Sequence, residues 1–517
     1  MNLEKFLHNL HLDTDQAAPP DWEPDWEDAP LPYKLYRGLP SFSFSADVPL
    51  SLQKQTQLAV PDVKRMGDFL WYTYGLSAVS QILYSFDESE QTEIHQTLRR
   101  YVPSGGGLYP NELYLYLKLK ELPAGVYHYD TAHHRLILLR EGNYDSYLSG
   151  CLGDRFDLSS SFGTAIVSTM FWKNFFKYNE FSYRLQGLDA GVLLGQMQET
   201  AESFGFSAAV THQFMDRAVN HLLGLNVKEE TVYAVIPLSA GRVKRKRGRE
   251  VLAEELCRKL PVIRHEHYVR SKRVLPYPAL QQISEAAEMD RSQSFRELQP
   301  EKDMKPAGQV IFLPGAGRLS YDLAAACRER HSPEMDFCLR KIPLEHAGSL
   351  LYEAGAAFPY QNDLDHADFS RRISIYACFY NVDGIPNGAY AYNSREHSLR
   401  GIAMGDHRFY LQDAMSVNNL NLYQVPITLH LAGDREHMIN ELGYRGYRIQ
   451  QMEAGMQTQK ILLAAAAMGM GGHPLLGFDV NKCDELYGLK REGKTCLIQI
   501  PVGPYQKRVW LKGSLRG

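Results

Sequence analysis

The chain has 517 residues, 44% of them hydrophobic and 22% charged, a globular composition with material for two to four domains at roughly 100–200 residues each. A net charge of −4 disfavours a general nucleic-acid binder or polybasic membrane protein, and no apolar run approaches the roughly 20 residues of a membrane span. The start, MNLEKFLHNLHLDTD, lacks a secretory pattern, and seven scattered cysteines without a CxxC pair exclude a disulfide framework and the usual zinc ribbons. These features lead us to expect a cytoplasmic protein with no metal site, no nucleic acid and no membrane partner.

Taken along the chain, residues 1–30 read as an acidic arm, its DWEPDWEDAP segment lying on the surface. RRYVPSGGGLYP (99–110) follows at the head of the strand ELYLYLKL (112–119), and GVYHYD (125–130) ends a second, short strand. Lys177-Tyr178 precede a long helix, LDAGVLLGQMQETAESFGF, whose small residues allow close packing and whose last turn is closed by a glycine. VYAVIPL ends this half as a strand, and the basic RVKRKRGRE (242–250) opens a linker with a connecting helix to residue 300. QVIFLPGAGRLSYDLAAA imitates a strand, a GxG turn and a helix, but Ser320 stands where a dinucleotide fingerprint needs its third glycine. Beyond it lie Arg330-His331-Ser332, the strand ISIYACFY, GAYAYN, the helix MEAGMQTQKILLAAAAMGM, and CLIQIPVG followed by Lys507 and Arg508.

Several of these segments recur. GVYHYD at 125 returns as GAYAYN 263 residues later, and YRLQGLDAG at 183 returns as YRIQQMEAG after 264. Gly205 and Gly224-Leu225 match Gly469 and Gly488-Leu489 at 264 as well. A shared offset across four blocks marks a tandem duplication. The expected division is an arm over 1–30, one α+β domain over 31–241, a linker over 242–300 and a second, diverged domain over 301–517.

The halves differ where chemistry would reside. Three consecutive glycines let backbone N–H groups approach a flat or anionic ligand, and the equivalent HADFSRRI has none. Lys177 beside Tyr178 can supply a general base if burial lowers a pKa, whereas the second half has Glu441-Leu442 there. The second half in turn offers Arg330 and Ser332, two apart and suited to a phosphate, with the glycine-rich MGMGGHPLLGFD and late basic residues. Each feature alone also fits an ordinary surface turn or a solvated charge.

Together, PLPYKLYRGLP, PSGGGLYPNELYLYL, GVYHYDTAHHRLILL and KY…YRLQGLDAGVLLGQ resemble the SagB/McbC/ThcOx-type azoline dehydrogenases of the nitroreductase superfamily. The resemblance covers roughly residues 30–240 well and 310–510 more loosely. It implies two tandem FMN-dependent nitroreductase-like domains forming an intramolecular pseudo-dimer, with one competent FMN site per chain between the halves. Arg100, Ser104, Gly105 and Gly106 would bind the cofactor from the first half, and Arg330, Ser332, Gly471, Gly472 and Arg508 from the second. Lys177 and Tyr178 would be catalytic. Glu334 departs from the pattern, standing where a second basic residue often follows the Arg-x-Ser grip.

The implied reaction is oxidation of thiazoline or oxazoline rings to thiazoles or oxazoles in a ribosomally made precursor peptide. A cyclodehydratase complex is the implied partner, and a homodimer remains open. Alternatives are an NAD(P)H-dependent nitroreductase or quinone reductase, a peptide dehydroamino-acid reductase, and a non-enzymatic flavin-binding scaffold.

Overall fold

The computed structural model describes residues 2–55, 60–85, 92–299, 308–315, 317–365, 371–507 and 511–514. They group into a first unit, Pro20–Phe295 with Arg508–Gly517, and a second, Met1–Pro19 with Arg296–Lys507. Residues 1–30, expected as one arm, are thus divided. Leu3–Leu12 is a helix capped by the Asn2 side chain, and it buries Phe6, Leu7 and Leu10 in the second unit. The 242–300 segment stays with the first unit as far as Phe295. Its basic run lies extended along residues 153–157, with Lys246 N–H donating to Arg155 O at 2.8 Å.

In the first unit the strands are β1 (Ser41–Ser43), β2 (Leu76–Ser85), β3 (Thr92–Arg100), β4 (Asn111–Leu117), β5 (Gly125–Asp130), β6 (Arg135–Glu141), β7 (Ser161–Met170), β8 (Ser207–Ala208) and β9 (Glu230–Ser239). The second unit has β10 (Val310–Phe312), β11 (Ser374–Phe379), β12 (Gly388–Asn393), β13 (Ser398–Met404), β14 (Ile427–Asp434), β15 (Gly471–Gly472) and β16 (Lys494–Gly503). A last strand, β17 (Leu511–Ser514), pairs with β2 in the first unit.

The duplication is visible in the sheets. Their orders, β1-β6-β5-β4-β7-β9-β8 and β10-β13-β12-β11-β14-β16-β15, correspond strand for strand. Two of the irregularities correspond as well. A register shift between Val126 and Tyr127 recurs between Ala389 and Tyr390, and one between Val167 and Ser168 recurs between Leu431 and Ala432. Bulges re-aim a strand locally, so keeping them keeps the sheet's curvature. The three-stranded sheet β17-β2-β3 has no counterpart among the described residues of the second unit. The strand–turn–helix decoy resolves as β10, an edge strand antiparallel to β13, and a helix of only seven residues.

β4 and β9 are buried along their whole length, so both faces of the first sheet are covered. Tyr114, Ile166 and Val232 on one face pack with Leu148, Leu222 and Leu256 from short helices. The other face meets the long helix Ser182–Ser203, where Tyr233 Oη donates to Gln186 Oε1 at 3.3 Å. That helix is buried nearly all round, as is Arg445–Ala467 in the second unit. Both helices close alike, with Gly205 and Gly469 at φ +72 and Phe206 and Met470 N–H each donating to a carbonyl five residues back at 2.8 Å. Only a residue without Cβ takes that backbone cheaply, so the two glycines stop the helices at equivalent points. No helix among the described residues is long and apolar enough to cross a membrane.

Candidate functional site

The β2–β3 hairpin delivers the chain to Arg100, where the glycine loop begins. Arg100 is buried. Its Nη2 donates to Pro32 O at 2.6 Å, Nη1 to Tyr74 O at 3.4 Å, and its guanidinium lies 3.8 Å from the centre of the Tyr74 ring. The side chain therefore roots the loop, leaving Nε–H without a hydrogen-bond partner among the described residues.

Gly105–Gly107 form a single tight turn, with Gly107 N–H donating to Ser104 O at 2.9 Å and Gly106 at φ +64. Gly106 lies against the Lys-Tyr pair. A Cβ there would stand 2.7 Å from Tyr178 Oη and 2.9 Å from Lys177 Nζ, so any larger residue would strain the left-handed backbone and push both side-chain tips aside. The expected loop and the expected pair are thus brought together within one unit.

Lys177 and Tyr178 end the helix Trp172–Tyr178, and Asn179, at φ +49, turns the chain toward the long helix. Part of the acidic segment lies over this helix. Trp22 Nε1 donates to Phe176 O at 3.1 Å, and the Trp26 ring is 5.3 Å from Lys177 Nζ. Nζ makes no hydrogen bond or ion pair among the described residues, and burial lowers its pKa below the ordinary lysine value. Burial, with the Asp189 charge nearby, pushes the Tyr178 phenol upward. The pair therefore offers an amine ready to lose its charge and a phenol that keeps its proton.

Sequence reasoning did not single out Asp189, inside YRLQGLDAG. Its Oδ2 accepts from Ser104 Oγ at 2.6 Å and its Oδ1 from Gly105 N–H at 3.2 Å. Burial pushes the carboxyl up to about 7, against the lowering effect of those two bonds. The signal available was an acid kept at the same helical position in both repeats, as Asp189 and Glu453.

A second missed group braces the site from beneath. Lys173, one turn before Lys177, pairs with Glu112 of β4 and donates to Tyr109 O at 3.3 Å, while His128 Nε2 stands 2.7 Å from Glu112 Oε2. Burial alone would raise Glu112, but the Lys173 ammonium and His128 hold its carboxyl well below the usual range. The same ion pair ties the end of the glycine loop to the helix that carries Lys177.

In the second unit, Arg330 and Ser332 also meet, Nη1 lying 3.5 Å from Ser332 Oγ. Gly472 N–H donates to His331 O at 3.2 Å, and a Cβ on Gly471 would collide with Pro333. Gly471 and Gly472 pair with Gly503 and Val502, just before Tyr505, whose ring centre is 5.0 Å from that of His331. Lys507 Nζ is 2.5 Å from Glu329 Oε2 at the same end. Arg508 lies outside the described residues.

Both sets fit parts of a flavin mononucleotide. The Lys177 amine and the Tyr178 phenol can each donate to the acceptor edge of a flat heteroaromatic ring, and a guanidinium beside a hydroxyl suits a phosphate.

Comparison with known proteins places these features in a family. The nitroreductase family profile matches residues 84–241 and 374–504, which is more than half of the chain. A Methanocaldococcus jannaschii protein named as a nitroreductase is 25% identical over 170 residues, 32% of this chain and 84% of its own. The trifolitoxin-processing protein TfxB of Rhizobium leguminosarum bv. trifolii is 30% identical over 135 residues, 25% of this chain and 36% of its own. A nitroreductase-type crystal structure from Anabaena variabilis superposes with a TM-score of 0.75 at 21% identity, covering 98% of this chain and 99% of that one, a likeness of fold. With two matched regions on two sheets of one topology, the chain belongs to the nitroreductase family and is an oxidoreductase of tandem nitroreductase-like domains.

Proposed function

We propose that this oxidoreductase binds FMN and oxidises thiazoline or oxazoline rings of a precursor peptide to thiazoles or oxazoles. The observation that carries the reading is the contact of Gly106 with Lys177 and Tyr178, which puts a base of lowered pKa beside the loop assigned to the flavin. Nitroreductase-family proteins typically bind flavin, and similarity to a protein named for trifolitoxin processing supports a modifying role. The precursor peptide, and a cyclodehydratase complex that would make the azoline, are the proposed partners.

Bound FMN would supply the two-electron acceptor for the ring β-hydride, with dioxygen as its reoxidant. Neutral Lys177 Nζ takes the ring α-proton, and the C–H electron pair left behind becomes the new double bond of the aromatic ring. Tyr178, kept protonated, donates a hydrogen bond and orients the ring. Trp26 and the helix limit water around Nζ, which keeps the amine basic yet uncharged. Ser104, Gly105 and Gly106 form the ring-side wall. Arg330, Ser332, Gly471 and Gly472 of the second unit, and Arg508, keep the phosphate-binding role that the resemblance implies for them.

The test is to load the purified chain with FMN and assay an azoline-containing peptide for loss of two hydrogens by mass spectrometry. Loss in the wild type but not in Lys177→Ala with FMN still bound supports the proposal. Bleaching of the flavin by NADH, without azoline oxidation, would instead favour the reductase that the Methanocaldococcus relative's name describes.

A further inference from the structure

We propose that Asp189 is the positioning residue of the first unit's site, fixing the glycine turn in the conformation that holds Gly106 against Lys177 and Tyr178. The inference deepens the flavin reading above and rests on it for the ligand, though not for the geometry.

One carboxylate holds the start of the turn directly and its end through Ser104. Its two oxygens take the Ser104 hydroxyl and the Gly105 N–H, and Ser104 Oγ in turn accepts from Tyr109 N–H at 2.9 Å. Between those anchors, Gly106 and Gly107 at φ +64 and +69 and Tyr109 at φ +50 all adopt left-handed backbone. A non-glycine residue in that region persists only where surrounding contacts hold it there. Three consecutive glycines would otherwise be the most pliable segment of the site.

Charge neutralisation does not explain Asp189. Among the described residues it has no ion pair, and the groups facing it are neutral: Ser104 and Gly105 from the loop, Tyr178 from the Lys-Tyr helix and Tyr74 from the helix Val63–Tyr74. A buried carboxylate that meets only neutral donors acts through the direction of its hydrogen bonds.

The duplicated half supplies an internal control. At the equivalent position, Glu453 accepts from Tyr360 Oη at 2.6 Å and from Arg372 Nε at 2.8 Å, and Arg372 also pairs with Asp365. Arg372 stands just before β11, as the glycine loop stands just before β4. In both units the helix acid reaches the segment that enters the corresponding strand. In the second it closes an ion-pair cluster, and in the first it clamps a turn that faces a lysine.

The test compares Asp189→Ala, Ser104→Ala and Asp189→Asn with the wild type by amide hydrogen exchange without flavin and by FMN titration. Ser104→Ala breaks the same bond from the loop side, so it answers the question if Asp189→Ala does not fold. Expected is exchange over 104–110 faster by about tenfold or more in Asp189→Ala and Ser104→Ala, both of which lose the Ser104–Asp189 bond and one further bond each, with β7 and β9 unchanged. FMN binding weakens by a similar factor, and Asp189→Asn, which keeps an acceptor for Gly105 N–H, falls between. Wild-type exchange over 104–110 in both Asp189→Ala and Ser104→Ala would overturn the proposal. Faster exchange in a chain that takes up no FMN even as wild type would leave the clamp standing and remove the flavin reading.

Discussion

Replacing Asp189 by Asn should shift the first unit's stability relative to the wild type in the variant's favour as pH rises. Burial moves this carboxyl from 3.8 to about 7, so the folded state resists its ionisation. A raised pKa contributes stability that is whole below the unfolded value and is lost as pH climbs through the folded one. Three units at ~1.4 kcal/mol each make the loss about 4 kcal/mol above pH 7, of which about 2.5 kcal/mol falls between pH 5 and pH 8. Asparagine has nearly the same shape and does not ionise, so its advantage over the wild type should grow by about that amount between those two pH values. Urea unfolding followed by tryptophan fluorescence measures this in the right place. Trp22, Trp26, Trp71, Trp172 and Trp510 all fall in the first unit's segments, and none in the second's. An advantage equal at pH 5 and pH 8 would show that Asp189 is not an uncompensated buried carboxylate and would refute the reasoning.

Gly106→Ala should leave the fold intact at a cost of about 1–2 kcal/mol for left-handed alanine, yet slow azoline oxidation sharply because its methyl displaces Lys177 and Tyr178. A rate equal to the wild type's, measured on the peptide by mass spectrometry, would count against the close contact. The rate should rise with pH as Lys177 loses its proton and level off below the ordinary lysine value, since burial lowers that pKa; a flat or falling profile would speak against Lys177 as base. Glu112→Gln leaves the Lys173 ammonium buried without its carboxylate and should destabilise the first unit by about 3–5 kcal/mol in the same fluorescence assay.

Much of the architecture could be read from the chain because duplication leaves two copies to compare. The 264-residue offset that aligns YRLQGLDAG with YRIQQMEAG also aligns the sheets, two of their bulges and the helix-closing glycines. The glycine loop and Lys177-Tyr178 were legible as residue types, although some seventy residues apart, and their contact at Gly106 emerged only in three dimensions. What escaped depends on packing rather than pattern. In NELYLYL, Glu112 sits where strand alternation allows a solvated face, but helices cover that face and convert it into one half of an ion pair. Asp189 looked like one more polar position on a helix, because nothing local shows that the helix is buried all round. The opening helix had the composition of a surface arm, while its Phe6, Leu7 and Leu10 find their partners in the second unit's residues, far along the sequence.

The most direct test of the account is the visible flavin band of the FMN-loaded chain, followed without oxygen after an azoline-containing peptide is added. Bleaching in the wild type, and a persistent band in Lys177→Ala that still holds its flavin, is the predicted result. Bleaching of Lys177→Ala at the wild-type rate, or a purified chain that takes up no flavin at all, would contradict it.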